Sequence, residues 1–125
     1  MTAMIGARRV TLFVYGTLLR GEANHHQLGA AELLGPARTE PAYTLLDLGD
    51  YPGLRAGGRA SVCGELYAVD ARQLPALDEF EGLDEYAREP VALVGGGRAL
   101  AYVLRPELSL ETAALEIPSG DWRRR

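Results

Sequence analysis

Arg9-Val-Thr-Leu-Phe-Val-Tyr15 is an almost continuous apolar run that is rich in β-branched and aromatic residues. Such a run predicts a strand covered on both faces, which is the environment of a strand at the centre of a sheet. The run ends at Gly16-Thr17, where the composition predicts a turn and then a loop as far as Gly21. The rest of the fold is therefore expected to build outward from this strand.

The remaining elements follow from turn residues and apolar periodicity. Asn24 suits the N-cap of a helix over residues 24–34, which Gly35-Pro36 would end. A second helix is predicted to begin at Leu74 or Pro75, after a cap at Asp70, and to end at a left-handed Gly82. Residues 50–53 suit a turn, and residues 95–97 (Gly-Gly-Gly) suit the tip of a hairpin. Further strands are predicted over residues 38–48, 61–69, 86–94 and 98–104.

This order of elements favours an α+β fold with about five or six strands and two helices. Hairpins, and the lack of regular strand–helix alternation, favour a mixed or antiparallel sheet. Periodicity alone leaves open whether the sheet closes into a barrel. A chain of 125 residues predicts one domain over residues 1–125, with its core at about 9–104 and a tail at 105–125.

Charge and composition exclude several classes of function. The net charge is −4, so no broad basic surface predicts nucleic-acid binding. The basic run Arg123-Arg124-Arg125 is expected to be a solvated tail. The single cysteine, Cys63, is expected to be a packed thiol in a reducing cytoplasm. No signal peptide and no apolar run long enough to cross a bilayer is found, so we expect no membrane association.

Glu81 is the strongest candidate for a catalytic group. If residues 74–81 form a helix with about 100° per residue, Glu81 lies at roughly −20° from Leu74, between Leu74 and Leu77. A carboxylate inside an apolar stripe has a raised pKa and becomes a usable base near neutral pH. The alternative is a salt-bridged glutamate at an acidic helix end. Tyr86 could supply a phenolic hydrogen bond, or be a half-buried strand tyrosine.

The second candidate is the turn formed by Tyr15, Gly16, Thr17 and Leu18. Successive backbone N–H groups at such a turn can hold a carboxylate or an oxyanion, although the spacing alone favours an ordinary strand-ending turn. The turn is not a P-loop, since no Lys-Ser/Thr follows it. His25-His26 point in different directions on a helix, so no metal site and no cofactor are expected.

Together these residues resemble the γ-glutamylcyclotransferase superfamily, which includes AIG2-like and γ-glutamylamine cyclotransferase proteins. The two motifs that carry the resemblance are the Tyr-Gly-Thr-Leu turn after the first strand and the glutamate before Gly82. The matching positions are residues 13–21, Asn24, Tyr51-Pro52, residues 62–70, residues 77–82, Tyr86 and residues 101–103.

The resemblance implies a small mixed β-barrel with flanking helices and the release of 5-oxoproline from a small γ-glutamyl compound. It implies that Glu81 is the catalytic acid/base and that Tyr15, Gly16, Thr17, Leu18 and Tyr86 bind the substrate. It implies no cofactor. The turn sequence looks more like that of the γ-glutamylamine branch than those of the glutathione-degrading or γ-glutamyl amino acid branches.

Two rival functions remain open at this point. One is a biosynthetic cyclotransferase that removes a γ-glutamyl protecting group from a carrier-bound or natural-product amine. The other is a non-catalytic module that binds a small ligand, which a buried base such as Glu81 makes less attractive. The amine leaving group and the oligomeric state are not predicted by the sequence.

Overall fold

The computed structural model describes residues 8–108 and 115–125, which form one eight-stranded sheet, one α-helix and three short 3-10 helices. The 3-10 helices span His25–Leu28, Ala71–Gln73 and Trp122–Arg124. The strands and the helix, in chain order, are β1 (Arg9–Val14), β2 (Glu32–Arg38), β3 (Tyr43–Asp47), β4 (Pro52–Ala56), β5 (Cys63–Asp70), α1 (Leu74–Glu81), β6 (Tyr86–Ala92), β7 (Arg98–Leu104) and β8 (Leu115–Glu116).

The first strand lies inside the sheet, as its apolar composition predicts. β1 pairs antiparallel with β5 along its whole length and parallel with β7 at Leu12 and Leu100. The side chains of Leu12 and Phe13 are 0% and 1% exposed, so both faces of the strand are covered. Burial on both faces explains why the sequence here shows an apolar run instead of alternation.

The sheet divides beside β7, and this division creates the space for a site. β6 pairs with β7 from Ala92–Arg98 to Tyr86–Leu104, so it occupies one edge of β7 throughout. β1 and β4 must then share the other edge, and they contact it at Leu100 and Val103 respectively. The chain leaves β1 at the point where β4 takes over that edge.

The sheet also curls strongly. Its strand order is β2-β5-β1-β7-β4-β3-β8, with β6 on β7. An antiparallel bridge between Thr39 and Leu93 brings the chain after β2 to the chain after β6, which are far apart in that order. The α+β class and the small mixed, barrel-like sheet are confirmed, with more strands and fewer α-helices in the described residues than the sequence indicates.

The predicted helix over residues 24–34 is wrong. Only the 3-10 turn His25–Leu28 forms there, Gly29 follows with φ of 57°, and the chain enters β2 at Glu32. Leu33 and Leu34 remain 38% and 50% exposed. Burial of apolar surface therefore does not determine the conformation of this segment. The backbone hydrogen bonds between β2 and β5 determine it.

Two smaller predictions also need correction. The single strand expected over residues 38–48 is interrupted at residues 39–42, where Pro41 lies, so that β2 and β3 are separate. The turn expected at residues 50–53 is shorter, because Pro52 and Gly53 already belong to β4, which pairs with β3. Both errors arise because proline and glycine are tolerated where a strand begins or ends.

The C-terminal segment contributes to the core. Ile117 and Trp122 are 3% and 2% exposed and pack with Phe13, Val62 and other residues of one of the two apolar clusters. The guanidinium carbon of Arg125 lies 3.5 Å from the centroid of the Trp122 ring. The three arginines are exposed, as predicted, but they are not free of contacts: Arg123 makes ion pairs that are described below.

Candidate functional site

Helix α1 brings Glu81 to the sheet. Asp70 caps the preceding turn: its carboxylate accepts from the backbone N–H of Arg72 at 2.9 Å, and the Gln73 side chain accepts from Asp70 N–H at 3.1 Å. Leu74 and Leu77 are buried and anchor one face of α1. The helix ends at Gly82, whose φ of 92° is positive as predicted but whose ψ of 104° is not left-handed helical.

The carboxyl group of Glu81 lies in a desolvated position. Burial raises its pKa from 4.5 to about 7, and desolvation is the whole cause. Among residues 8–108 and 115–125, no group donates a hydrogen bond to this carboxylate, and no cation pairs with it. Its neighbours behave differently: Asp78 pairs with Arg88 at 2.9 Å, and Glu79 is exposed. Glu81 is thus an unpartnered acid that can gain or lose a proton near neutral pH.

Glu81 and the loop after β1 line one cavity of about 330 Å³. This volume suits a small molecule of amino-acid or dipeptide size. All six residues singled out from the sequence line it, namely Tyr15, Gly16, Thr17, Leu18, Glu81 and Tyr86. The other lining residues are Phe13, Val14, Asn24, Asp50, Tyr51, Pro52, Phe80, Glu85 and Tyr102. The cavity therefore has three carboxylates in its wall and no lysine, arginine or histidine from the described parts of the chain.

The turn after β1 presents unused backbone donors. Leu19 N–H donates to Gly16 C=O at 3.0 Å, but in the described parts of the chain the amides of Gly16, Thr17 and Leu18 have no acceptor. These three residues line the cavity, so they can supply donors to an anionic group of a ligand. Gly16 has no positive φ. Glycine is needed at position 16 because there is no room for a side chain: an added Cβ would lie 2.7 Å from Cδ of the Pro52 ring.

Asn24, which also lines the cavity, holds this turn in place. Its side-chain Nδ2 donates to Thr17 Oγ1 at 3.0 Å, and its backbone N–H donates to Thr17 C=O at 2.9 Å. The Thr17 hydroxyl is thereby fixed as an acceptor and keeps its own proton for a ligand. The sequence suggests an N-cap role for Asn24, but no capping bond forms.

The hydroxyls of Tyr15 and Tyr86 are committed to the scaffold. Tyr15 O–H donates to Tyr102 C=O at 2.5 Å and accepts from Leu54 N–H at 3.1 Å, so it joins β7 to β4 where the sheet divides. Tyr86 O–H donates to Pro52 C=O at 2.8 Å. Burial is the main cause that raises the pKa of both phenols, so both stay protonated. Their rings form part of the cavity wall.

Sequence reasoning missed part of the wall. The Tyr51 hydroxyl donates to Glu85 Oε1 at 3.1 Å, and the Tyr51 ring lies 6.4 Å from that of Tyr86. Tyr102 O–H donates to Asp78 Oδ1 at 2.7 Å. Tyr51 belongs to a matched motif, which was a usable signal. Glu85 carries no signal in the sequence, since an acidic residue after a helix is ordinarily solvated.

A desolvated carboxyl group, unused backbone amides and a small cavity together define a site for acid–base chemistry on a small polar ligand. Residues 12–124 match the family described as gamma-glutamyl cyclotransferase, AIG2-like. The chain belongs to this family.

Individual relatives agree with this assignment. A Vibrio cholerae protein provisionally named gamma-glutamylcyclotransferase is 44% identical over 115 residues, which cover 91% of this chain and 96% of the relative. Gamma-glutamylaminecyclotransferase A of Danio rerio is 38% identical over 94 residues, covering 67% of this chain and 58% of the relative. The crystal structure of an AIG2-like protein from mouse superposes with a TM-score of 0.68 at 31% identity, covering 80% of this chain and 82% of that one.

No helix within residues 8–108 and 115–125 has the length and apolar character needed to cross a bilayer.

Proposed function

We propose that the protein releases 5-oxoproline and a free amine from a γ-glutamyl compound, by attack of the substrate's α-amine on its own γ-carbonyl carbon. The observation that carries this proposal is that one cavity holds both the Glu81 carboxyl and the amides of Gly16, Thr17 and Leu18, none of which has a partner among the described residues. Membership of the gamma-glutamyl cyclotransferase family supports it.

Glu81 acts as the base and then as the acid. Its carboxylate takes a proton from the α-ammonium group, and the exposed nitrogen lone pair forms a C–N bond to the γ-carbonyl carbon. The C–N bond to the leaving group then breaks, and Glu81 returns its proton to the departing nitrogen. The ring nitrogen gives up its own extra proton to the same amine, so the lactam nitrogen keeps one hydrogen and the amine leaves as an ammonium ion. A pKa of about 7 suits both transfers, since the group is ionised about half the time at neutral pH. General acid–base assistance of this kind contributes roughly 10²–10⁴-fold in rate.

The backbone amides of residues 16–18 hold the substrate's α-carboxylate in this proposal. Two groups could use them, the α-carboxylate and the oxyanion that forms at the γ-carbon. The cavity wall has three acidic side chains and, from the described residues, no cationic one, so an α-carboxylate has no salt-bridge partner there. Backbone N–H donors are then the groups that can bind it. The Thr17 hydroxyl, oriented by Asn24, adds a fourth donor.

We propose an amine, as in a γ-glutamylamine, as the leaving group. The relative named gamma-glutamylaminecyclotransferase A supports this choice. Asp50 and Glu85 place carboxylates in a wall to which the described residues contribute no cationic side chain, which is compatible with an amine that leaves protonated. The cytoplasm is the proposed location, because the single cysteine, Cys63, has no partner for an internal disulfide, which fits a reducing compartment.

The test is to measure 5-oxoproline release from γ-glutamyl-ε-lysine, γ-glutamyl amino acids, glutathione and simple γ-glutamylamines, with the wild-type protein and Glu81→Gln side by side. Release by the wild type alone supports the reaction and the role of Glu81, and the best substrate identifies the leaving group. Release by both proteins removes Glu81 from the mechanism. No release from any compound by folded wild type contradicts the proposed function and favours a carrier-bound substrate or a binding role.

A further inference from the structure

A charged cluster built on one buried carboxylate, Glu65, lies behind the turn formed by residues 16–18, outside the cavity. Glu65 on β5 is 8% exposed, and it pairs in register with Val14, two residues before Gly16. Its Oε1 accepts from the backbone N–H of Arg20 at 2.9 Å and from the Tyr67 hydroxyl at 3.0 Å. Burial is the main cause that raises the pKa of Tyr67 to about 12, so this phenol remains a donor.

The C-terminal segment completes the cluster. Arg123 Nη1 lies 3.9 Å from Glu65 Oε2, and Arg123 Nε lies 3.6 Å from Glu22 Oε2. Arg123 Nη2 also donates to the backbone C=O of Arg20. Glu65 therefore accepts from the N–H of Arg20, and Arg123 donates to its C=O. Glu65 and Arg123 also form an ion pair with each other. The N–H of the residue is held by an anion and its C=O by a cation, which are the stronger, charge-assisted kinds of hydrogen bond.

We propose that Glu65 and Arg123 are positioning residues that set the geometry of the amides at positions 16–18, so that the C-terminal segment controls substrate binding. The inference rests on the proposed function for its kinetic consequence. A carboxylate as buried as Glu65 is costly unless its charge is used. Apolar side chains could meet the packing need here, but they would leave the N–H and the C=O of Arg20 without these partners.

The position of Arg20 matters because the turn is short. Gly16 C=O accepts from Leu19 N–H at 3.0 Å, and Leu18 C=O contacts His25 Nδ1 at 2.9 Å. The backbone between Gly16 and Arg20 therefore has little freedom, and a displacement at Arg20 is passed to the amides. A misplacement of about 1 Å in a binding group can reduce rates by up to about 10²-fold.

The sequence provides a matched control in the adjacent arginine. Arg124 has 80% of its side chain exposed and pairs only with Asp121, at 3.7 Å, among the described residues. Arg123→Ala should raise KM for a γ-glutamylamine by about tenfold, with kcat changed by less than about twofold, because the amides bind the α-carboxylate equally in substrate and transition state. Arg124→Ala should leave both constants unchanged.

A second variant and a second measurement guard against misfolding and against failure of the proposed function. Glu65→Gln keeps an acceptor of the same shape but removes the charge, and should also raise KM. The effect of Arg123→Ala should be smaller in the Glu65→Gln background, since the two residues act together. Hydrogen exchange of the Arg20 amide, followed by NMR without substrate, should be at least about tenfold faster in Arg123→Ala than in Arg124→Ala.

The outcomes separate the two ideas. If the wild-type protein turns over substrate and Arg123→Ala and Arg124→Ala are equal in KM and in Arg20 exchange, the positioning role of Glu65 and Arg123 is overturned and the proposed function stands. If the wild-type protein does not turn over and Arg20 exchange is faster only in Arg123→Ala, the proposed function is overturned and the positioning role stands. A loss confined to kcat would show that the amides serve the oxyanion, which contradicts the KM prediction.

Discussion

Replacing Glu81 by glutamine should change both the stability and the activity of the protein, and both changes follow from the burial of the Glu81 carboxyl group. The pKa of Glu81 is raised from 4.5 to about 7 by burial, because the neutral form is the one that the folded protein accommodates. Below pH 4.5 the group is neutral in both the folded and the unfolded chain. Between pH 4.5 and 7 the unfolded chain releases its proton while the folded chain retains it, so the free energy of unfolding decreases as the pH rises.

The size of this decrease follows from the pKa difference. At about 1.4 kcal/mol per pH unit, a rise from 4.5 to about 7 corresponds to roughly 3 kcal/mol lost by pH 8. Glutamine resembles the neutral acid and does not ionise, so Glu81→Gln should not show this decrease in the free energy of unfolding. The stability of the variant relative to the wild type should therefore increase by about 3 kcal/mol from pH 4 to pH 8.

The assay is urea unfolding of both proteins at pH 4 and pH 8, with 5-oxoproline release measured on the same preparations. Activity of the wild type should increase as the pH rises through about 7, since the base must be ionised, and Glu81→Gln should lose 10²-fold or more. Glu79→Gln, an exposed neighbour on the same helix, should change neither property. A pH-independent stability difference, or near-normal turnover by folded Glu81→Gln, would refute the reasoning.

Three further substitutions test the walls of the cavity. Gly16→Ala should destabilise the protein by about 1–3 kcal/mol in thermal or urea unfolding, because the added Cβ meets the Pro52 ring. Adding Pro52→Ala to the same chain should restore much of this loss. If the stability losses of the two substitutions simply added in the double variant, the clash would be contradicted. Tyr86→Phe should cost about 1–2 kcal/mol by the same measurement, since the buried Pro52 C=O loses its 2.8 Å donor; a neutral effect would argue against that bond. Asn24→Ala should lower kcat/KM by about tenfold, because the Thr17 hydroxyl loses its 3.0 Å donor. Gln27→Ala, at an exposed position nearby, should leave kcat/KM unchanged. Equal kcat/KM values for the two variants would show that Thr17 needs no orientation by Asn24.

The parts of the fold that the sequence predicts are those that local patterns determine. β1 has an almost continuous apolar run, and α1 follows a turn with a capping box and carries two buried leucines, so both elements are recognisable from nearby residues. The positions of Glu81 and of the turn at Gly16 follow from these two elements. Their assembly around one cavity was implied by the family resemblance and not by the pattern.

The parts that local patterns miss depend on distant partners. β2 is a strand because β5 offers it a free edge, although Asn24 and the following residues favour a helix. Arg123 looks like part of a solvated basic tail, but its partners Arg20 and Glu65 lie 103 and 58 positions earlier. No window of sequence contains both ends of such a contact, so periodicity and propensity carry no information about it.

The Tyr15 hydroxyl, which joins β7 to β4, has a consequence for how the protein folds. Its bond to Tyr102 spans 87 positions, and its bond to Leu54 spans 39. Contacts between such distant positions carry a large loop-closure entropy and favour slow folding. The cavity is complete only when the ends of the chain's central strands have met. Enzymatic activity should therefore return after the bulk of the secondary structure during refolding, which makes activity a reporter of the final assembly step.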